Sequence, residues 1–231
     1  MTKSSTSRQA FDRELTSLRD NVLRLTNMTD TAIERATQAL VERDESLAKQ
    51  VVIDDKPINR MRYDIEEECY RLIATQQPLA RDMRTIITAI HIVVELERIA
   101  DHAAGVAKLA VELSKEPPLK PLIDLPRMAT ISREMLRDTV EAYLTWDAAK
   151  AQEIIDRDDE VDMLDSQVYR ELISYMLQDP RNISRATYLL WTSHNLERIA
   201  DRVTNICERI IFMVTGNIKK KKKKPANEED N

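Results

Sequence analysis

An all-α protein built as two tandem three-helix bundles, related by internal duplication, is the fold this sequence predicts, and three observations carry it. Only two glycines occur in 231 residues, which leaves little punctuation for hairpins and sheet crossovers. Apolar residues recur at helical spacing almost throughout. The hexapeptide Leu-Glu-Arg-Ile-Ala-Asp occurs twice, at Leu96 to Asp101 and at Leu196 to Asp201, an offset of 100 residues. Two copies of one helical hexapeptide mark a copied unit.

The first helix carries Phe11, Leu15, Leu18, Val22, Leu25, Met28, Ile33 and Leu40 at helical spacing and ends near Glu42. Asp44 is placed to cap a second helix, from about Glu45 to Ala74, which Gln76, Gln77 and Pro78 stop. A third runs from about Leu79 to Lys115. Pro117, Pro118, Pro121 and Pro126 cluster at the midpoint and separate a first repeat, residues 8–116, from a second, residues 123–216. The second repeats the plan. A fourth helix spans about Arg127 to Thr145, Asp147 caps a fifth, and Gln178, Asp179 and Pro180 break it. The sixth runs from about Asn182 to Thr215, with Gly216 as its C-terminal stop. Asp44 and Asp147 are 103 apart, as are Asp55 and Asp158, while Pro78 and Pro180 are 102 apart, so the halves align with small loop deletions. Residues 217–231, with the lysine run Lys219 to Lys224, read as a disordered, solubilising tail.

Composition excludes several classes of function. The formal charge is −5, and residues 219–231 hold six lysines against three acids, so the remainder carries −8. An acidic body is a poor nucleic-acid binder and a host for cations. No uninterrupted apolar run approaches the roughly 20 residues of a membrane span, and no signal peptide is visible, so the chain reads as soluble and cytoplasmic. Cys69 and Cys207 lie inside helical patterns and read as buried, inert thiols. There is no glycine-rich phosphate loop or nucleophile motif. There is also no Glu-x-x-His: Thr88, Ile99 and Trp191 stand three before His91, His102 and His194, which argues against di-iron oxidase chemistry. The chain is therefore not read as an enzyme. The three histidines read as structural, with His102, next to Asp101, the one placed to support a metal ligand.

The repeated hexapeptides carry the chemistry. Glu97 with Asp101, and Glu197 with Asp201, stand four apart and so share a helix face. Counting outward from the turn at Asp179 and Pro180, Asp158 and Asp162 lie level with Asp201 and Glu197 across an antiparallel helix pair. Nearly the same count around Gln77, two residues longer on the far side, sets Asp55 and Asn59 against Asp101 and Glu97. Asn205 extends the second line by one turn, where the first has Gly105. The second cluster thus holds four carboxylates and the first holds three, which makes the second the richer. Convergent carboxylates raise one another's pKa unless arginines or a metal neutralise them. Arg98 and Arg198 directly follow each glutamate, about 100° round the helix, and are expected to serve another face. An all-oxygen site favours a hard cation, Mg²⁺, Mn²⁺, Ca²⁺ or iron, over zinc. The plain alternative is a solvated acidic stripe with scattered salt bridges.

The doubled hexapeptide, Gln-Gln-Pro-Leu-Ala-Arg-Asp-Met-Arg at 76–84, Asp-Asp-Glu-Val-Asp at 158–162 and Asp-Pro-Arg-Asn-Ile at 179–183 resemble the PhoU family of phosphate-uptake regulators. The resemblance covers about residues 8–216, in order and in both halves. It implies two tandem three-helix bundles and metal-binding acid motifs: Asp55 with Asn59 and Glu97 with Asp101, then Asp158 with Asp162 and Glu197 with Asp201, extended by Asn205. The implied metals are iron, magnesium or manganese. Asn59 and Gly105 depart from the fuller motif. The resemblance further implies a negative regulator of phosphate uptake and phosphate-responsive two-component signalling. Its partners would be the ATPase subunit of the phosphate ABC transporter and a sensor histidine kinase, with membrane association through those partners. Apolar faces on two bundles suggest a homodimer. The competing readings are a metal-storage protein and a helical adaptor outside phosphate signalling.

Overall fold

The computed structural model describes residues 2–217, with side chains from residue 8. Seven α-helices occur among the described residues: α1 Thr2–Glu42, α2 Glu45–Gln76, α3 Ala80–Ser114, α4 Asp124–Thr145, α5 Ala148–Asp156, α6 Asp158–Gln178 and α7 Ile183–Thr215, with a 3₁₀ turn at Pro180–Asn182 before α7. Helices α1 to α3 form one bundle and α4 to α7 the other, and no strand occurs among the described residues. The expected tail, beyond Asn217, lies outside the described residues.

Burial repeats with the register of the duplication. Leu25 and Met128, Ile33 and Leu136, Ile58 and Val161, and Ile65 and Val168 are 103 apart and all buried, and Leu96 with Leu196 and Ile99 with Ile199 follow the offset of 100. The caps repeat too. Asp44 accepts from the Leu47 N–H, and Asp147 accepts from those of Ala149 and Lys150. The residue before each cap is left-handed, Arg43 at φ 57° and Trp146 at φ 60°. The Asp44 and Asp147 N–H groups then reach back to the Ala39 and Ala142 carbonyls, each at 3.0 Å, closing a Schellman-type end.

The structure corrects the expected six helices at one place. The fifth is interrupted at Arg157, which separates α5 from α6. Its counterpart in α2, Asp54, is in unbroken helix, but Pro57 follows three residues later, and a proline has no N–H to bond the carbonyl four residues back. Both bundles therefore carry a defect in the second helix, beside Asp55 and Asp158. Helix α4 also begins earlier than Arg127, at Asp124. Pro126 falls in its first turn, where a missing N–H costs nothing.

The two bundles meet along two seams. In the first, α3 and α7 run antiparallel: Arg84 Nε donates to the Met213 carbonyl at 3.2 Å, and His102 Nδ1 meets Asn195 Oδ1 at 3.0 Å. A Cβ on Gly105 would lie 2.8 Å from that same Asn195 oxygen, so the missing side chain lets α7 come close. By the offset of 100, Asn195 is the counterpart of Glu95, and Gly105 that of Asn205. The reciprocal contact is present, Asn205 donating to Glu95 at 3.3 Å. The second seam pairs α1 with α4. Arg133 Nε donates to Asp30 Oδ1 at 2.8 Å, Arg137 Nη2 to Asp30 Oδ2 at 2.9 Å, and Arg133 Nη1 lies 2.9 Å from Glu34.

Candidate metal centre

Helices α2 and α3 of the first bundle bring Asp55, Asn59, Glu97 and Asp101 to one place. Asn59 Nδ2 donates to Asp55 Oδ2 at 2.8 Å. The other oxygen, Asp55 Oδ1, is buried with no hydrogen-bond partner among the described residues. Burial pushes the Asp55 carboxyl upward and the charge of Asp101 pushes it further, against the Asn59 hydrogen bond and Lys108. Burial likewise raises Glu97, and Asp101 and Asp55 add to it, against Arg62 and Arg98. Arg98 itself turns away, to lie 3.6 Å from Glu95, as its place on the helix predicts. Three carboxylates therefore repel one another with incomplete compensation.

The second bundle solves the same problem differently. Arg198 curls back across its helix: Nε and Nη2 hold Glu197 at 2.7 Å each, and Nη1 lies 3.0 Å from Asp201. The nearby charge of Asp162 also raises the Arg198 pKa, after the larger effect of Glu197. This corrects the expectation that Arg198 serves another face; 100° of rotation is less than a flexible arginine can span. His194 Nδ1 lies 3.6 Å from Glu197. Asn205 donates instead to Glu95 across the α3–α7 seam. Asp158 and Asp162 stand in the first two turns of α6, and the charge of Asp162 reaches Arg198.

Sequence composition ranks the second cluster first because it has more carboxylates. The structure places the orphaned oxygen in the first, where no arginine among the described residues forms an ion pair with the acids. The donor chemistry there, carboxylates and an amide, suits a hard cation. Among the described residues no three His, Cys, Asp or Glu side chains are grouped to hold a metal ion as they stand, so a cation would have to draw its carboxylates inward. His102 is engaged by Asn195 at the seam and is not part of either cluster. Both cysteines are buried, and burial pushes each thiol up to about 12, as expected of inert thiols.

The repulsion has a measurable consequence. A carboxyl whose folded pKa is raised destabilises the protein above that pKa, and the loss is relieved as pH falls through it. In EDTA at neutral pH, Asp55→Asn should therefore raise the melting temperature, by roughly 2–4 °C for about 1 kcal/mol. A melting temperature equal to or below that of the unmodified chain in scanning calorimetry would show that the Asp55 charge is compensated.

The PhoU domain profile matches residues 22–110 and 125–210, one copy in each bundle. The chain belongs to the PhoU family. Among solved structures, PhoU from Pseudomonas aeruginosa superposes with a TM-score of 0.86 at 35% identity, covering 90% of this chain and 100% of that one. The phosphate transport system regulatory protein PhoU from Streptococcus pneumoniae gives a TM-score of 0.85 at 31% identity, covering 91% and 99%. A relative from Aquifex aeolicus, a phosphate-specific transport system accessory protein PhoU homolog, is 39% identical over 90% of this chain and 94% of its own length. The PhoU fold thus extends over both bundles, with one acid cluster in each. No helix among the described residues is long and apolar enough to cross a membrane.

Proposed function

We propose that this chain is a non-enzymatic accessory protein of a phosphate-uptake system, acting in the cytoplasm to restrain uptake and phosphate-responsive signalling when phosphate is plentiful. The observation that carries this reading is family membership along nearly the whole chain, with relatives named as accessory or regulatory proteins of phosphate transport. The partners we infer are the ATPase subunit of the phosphate ABC transporter and a sensor histidine kinase, engaged by a homodimer that reaches the membrane through them. A hard cation, Mg²⁺, Mn²⁺ or iron, held by Asp55, Glu97 and Asp101 with Asn59 beside them, neutralises the first cluster. A second ion at Asp158, Asp162, Glu197 and Asp201 has to displace Arg198.

The test is deletion of the gene in its own host, with phosphate-repressible phosphatase activity measured in phosphate-rich medium. High activity in the deletion strain, returned to low by the unmodified gene, is expected. Restoration by Asp55→Asn/Glu97→Gln/Asp101→Asn should fail if the cation is needed for regulation. Activity that stays low after deletion, in a host with no second copy, would sink the regulatory reading.

A further inference from the structure

Helices α1 and α2 leave an open groove on the first bundle. Two adjoining clefts, about 470 and 390 Å³, share Arg24, Met28 and Pro57 and join end to end. Together they run from Asn21 to Arg35 along α1 and from Val51 to Glu68 along α2, roughly 20–25 Å at the rise of a helix. The floor is apolar, with Met28, Ala32, Val51, Ile58, Met61 and Ile65. Two of these are methionines, whose flexible thioethers adapt to varied surfaces.

The rim is basic. Arg24 stands on α1, and Lys56 and Arg60 stand one turn apart on α2. These three exposed cations have no hydrogen-bond or ion-pair partner among the described residues, unlike Arg35, which pairs with Asp54. The duplication supplies an internal comparison. The counterparts of Arg24, Lys56 and Arg60, 103 residues on, are Arg127, Asp159 and Met163. Two of the three rim cations, Lys56 and Arg60, therefore belong to the first bundle alone, and the shared fold does not require them.

We propose that this groove is a docking site for an acidic amphipathic helix of a partner protein. The groove walls are helix interiors whose N–H groups are already bonded along the helix, so they offer no backbone donors to cradle a small phosphorylated ligand. A long apolar floor flanked at its middle by unpaired cations instead matches a helix with apolar residues at i, i+3, i+4 and i+7 and carboxylates flanking its central turns. Seated there, it turns the three-helix bundle into a four-helix one. Docking of this kind needs no metal, so it stands apart from the cation reading above.

The probe is a fluorescein-labelled peptide of about 16 residues, ~24 Å as a helix, with leucines on one face and glutamates flanking them. Fluorescence anisotropy with the full chain in EDTA should show saturable binding that weakens with added salt. Arg24→Glu/Lys56→Glu/Arg60→Glu should weaken it at least tenfold (~1.4 kcal/mol) with an unchanged melting temperature, since all three side chains are exposed. A matching peptide with lysines for glutamates should then prefer the triple variant. Equal binding to both proteins overturns the proposal. So does equal binding by a peptide with serines for leucines, which would show charge attraction alone. Displacement of the peptide by equimolar ATP would assign the groove to small anions and overturn it likewise.

Discussion

Reversing one charge on the α1–α4 seam should loosen the two bundles from each other. Arg133→Glu places a third acid beside Asp30 and Glu34, where Arg133 Nε now meets Asp30 at 2.8 Å and Nη1 meets Glu34 at 2.9 Å. The Arg133 and Asp30 side chains are only 17% and 16% exposed. Breaking such a pair from one side leaves an uncompensated charge, and the expected loss is on the order of 3 kcal/mol in urea denaturation. Asp30→Arg alone should cost a similar amount, by facing Arg133 and Arg137. The double variant Asp30→Arg/Arg133→Glu should be more stable than the sum of its single changes, because it rebuilds the central pair. Trp146 is a local probe of the docking, since the Arg81 guanidinium of the other bundle lies 4.1 Å from its ring centre. Additive losses in the double variant would mean that the seam is held by packing and not by these charges.

The seam has an origin in the duplication. Asp30 and Arg133 are 103 apart, so Asp30 contacts its own counterpart, and Glu34 and Arg137 are related in the same way. Across a strict two-fold axis each residue would face a like charge; only in a single chain can the two copies diverge to opposite signs. The same reversal recurs within the bundles, where Arg35 pairs with Asp54 and Asp138 Oδ2 pairs with Arg157 at 2.9 Å. Burial raises the Asp30 pKa, but hydrogen bonds from Arg133 and Arg137 outweigh it and hold the carboxyl below its ordinary 3.8. Its contribution is therefore intact above about pH 4 and lost as pH falls through the lowered value. The acids of the first cluster behave oppositely, so the metal-free protein should gain stability on mild acidification before the seam fails.

Manganese should stabilise the protein through the first cluster. An ion that binds only the folded chain contributes about 2.7 kcal/mol at a hundredfold excess over its Kd, or roughly 5–10 °C in melting temperature for a chain of this size. The pair Asp55→Asn/Glu97→Gln should abolish the shift, while Asp158→Asn/Asp162→Asn/Glu197→Gln/Asp201→Asn should leave most of it, because Arg198 already neutralises part of the second cluster. Differential scanning fluorimetry with Mn²⁺ and Mg²⁺ distinguishes the two. Loss of the shift only in the second-cluster variant would return priority to the richer carboxylate count. No shift with either ion in the unmodified chain would leave the first cluster as a strained acid triad, and the cation proposal would fall.

The helices, their caps and the duplication were legible along the chain because each depends on near neighbours. A helix needs apolar residues every three or four positions, a cap needs Asp44 or Asp147 two or three residues from the N–H it binds, and a repeat is visible as identity at fixed offset. The expected heights of the acid pairs came from counting to a turn, equal on both sides in the second half and two residues apart in the first. The interruption at Arg157 was not visible, since no glycine or proline marks it. The seam pairing of Asp30 with Arg133 needed the packing of two bundles that the sequence only separates. The most consequential difference lies between Arg98 and Arg198, each following the glutamate of an identical hexapeptide. One turns to Glu95 and the other closes on Glu197 and Asp201. Local sequence determined which acids share a helix face; the three-dimensional surroundings decided which pair is neutralised by its own arginine, because a long side chain goes to the strongest field within reach.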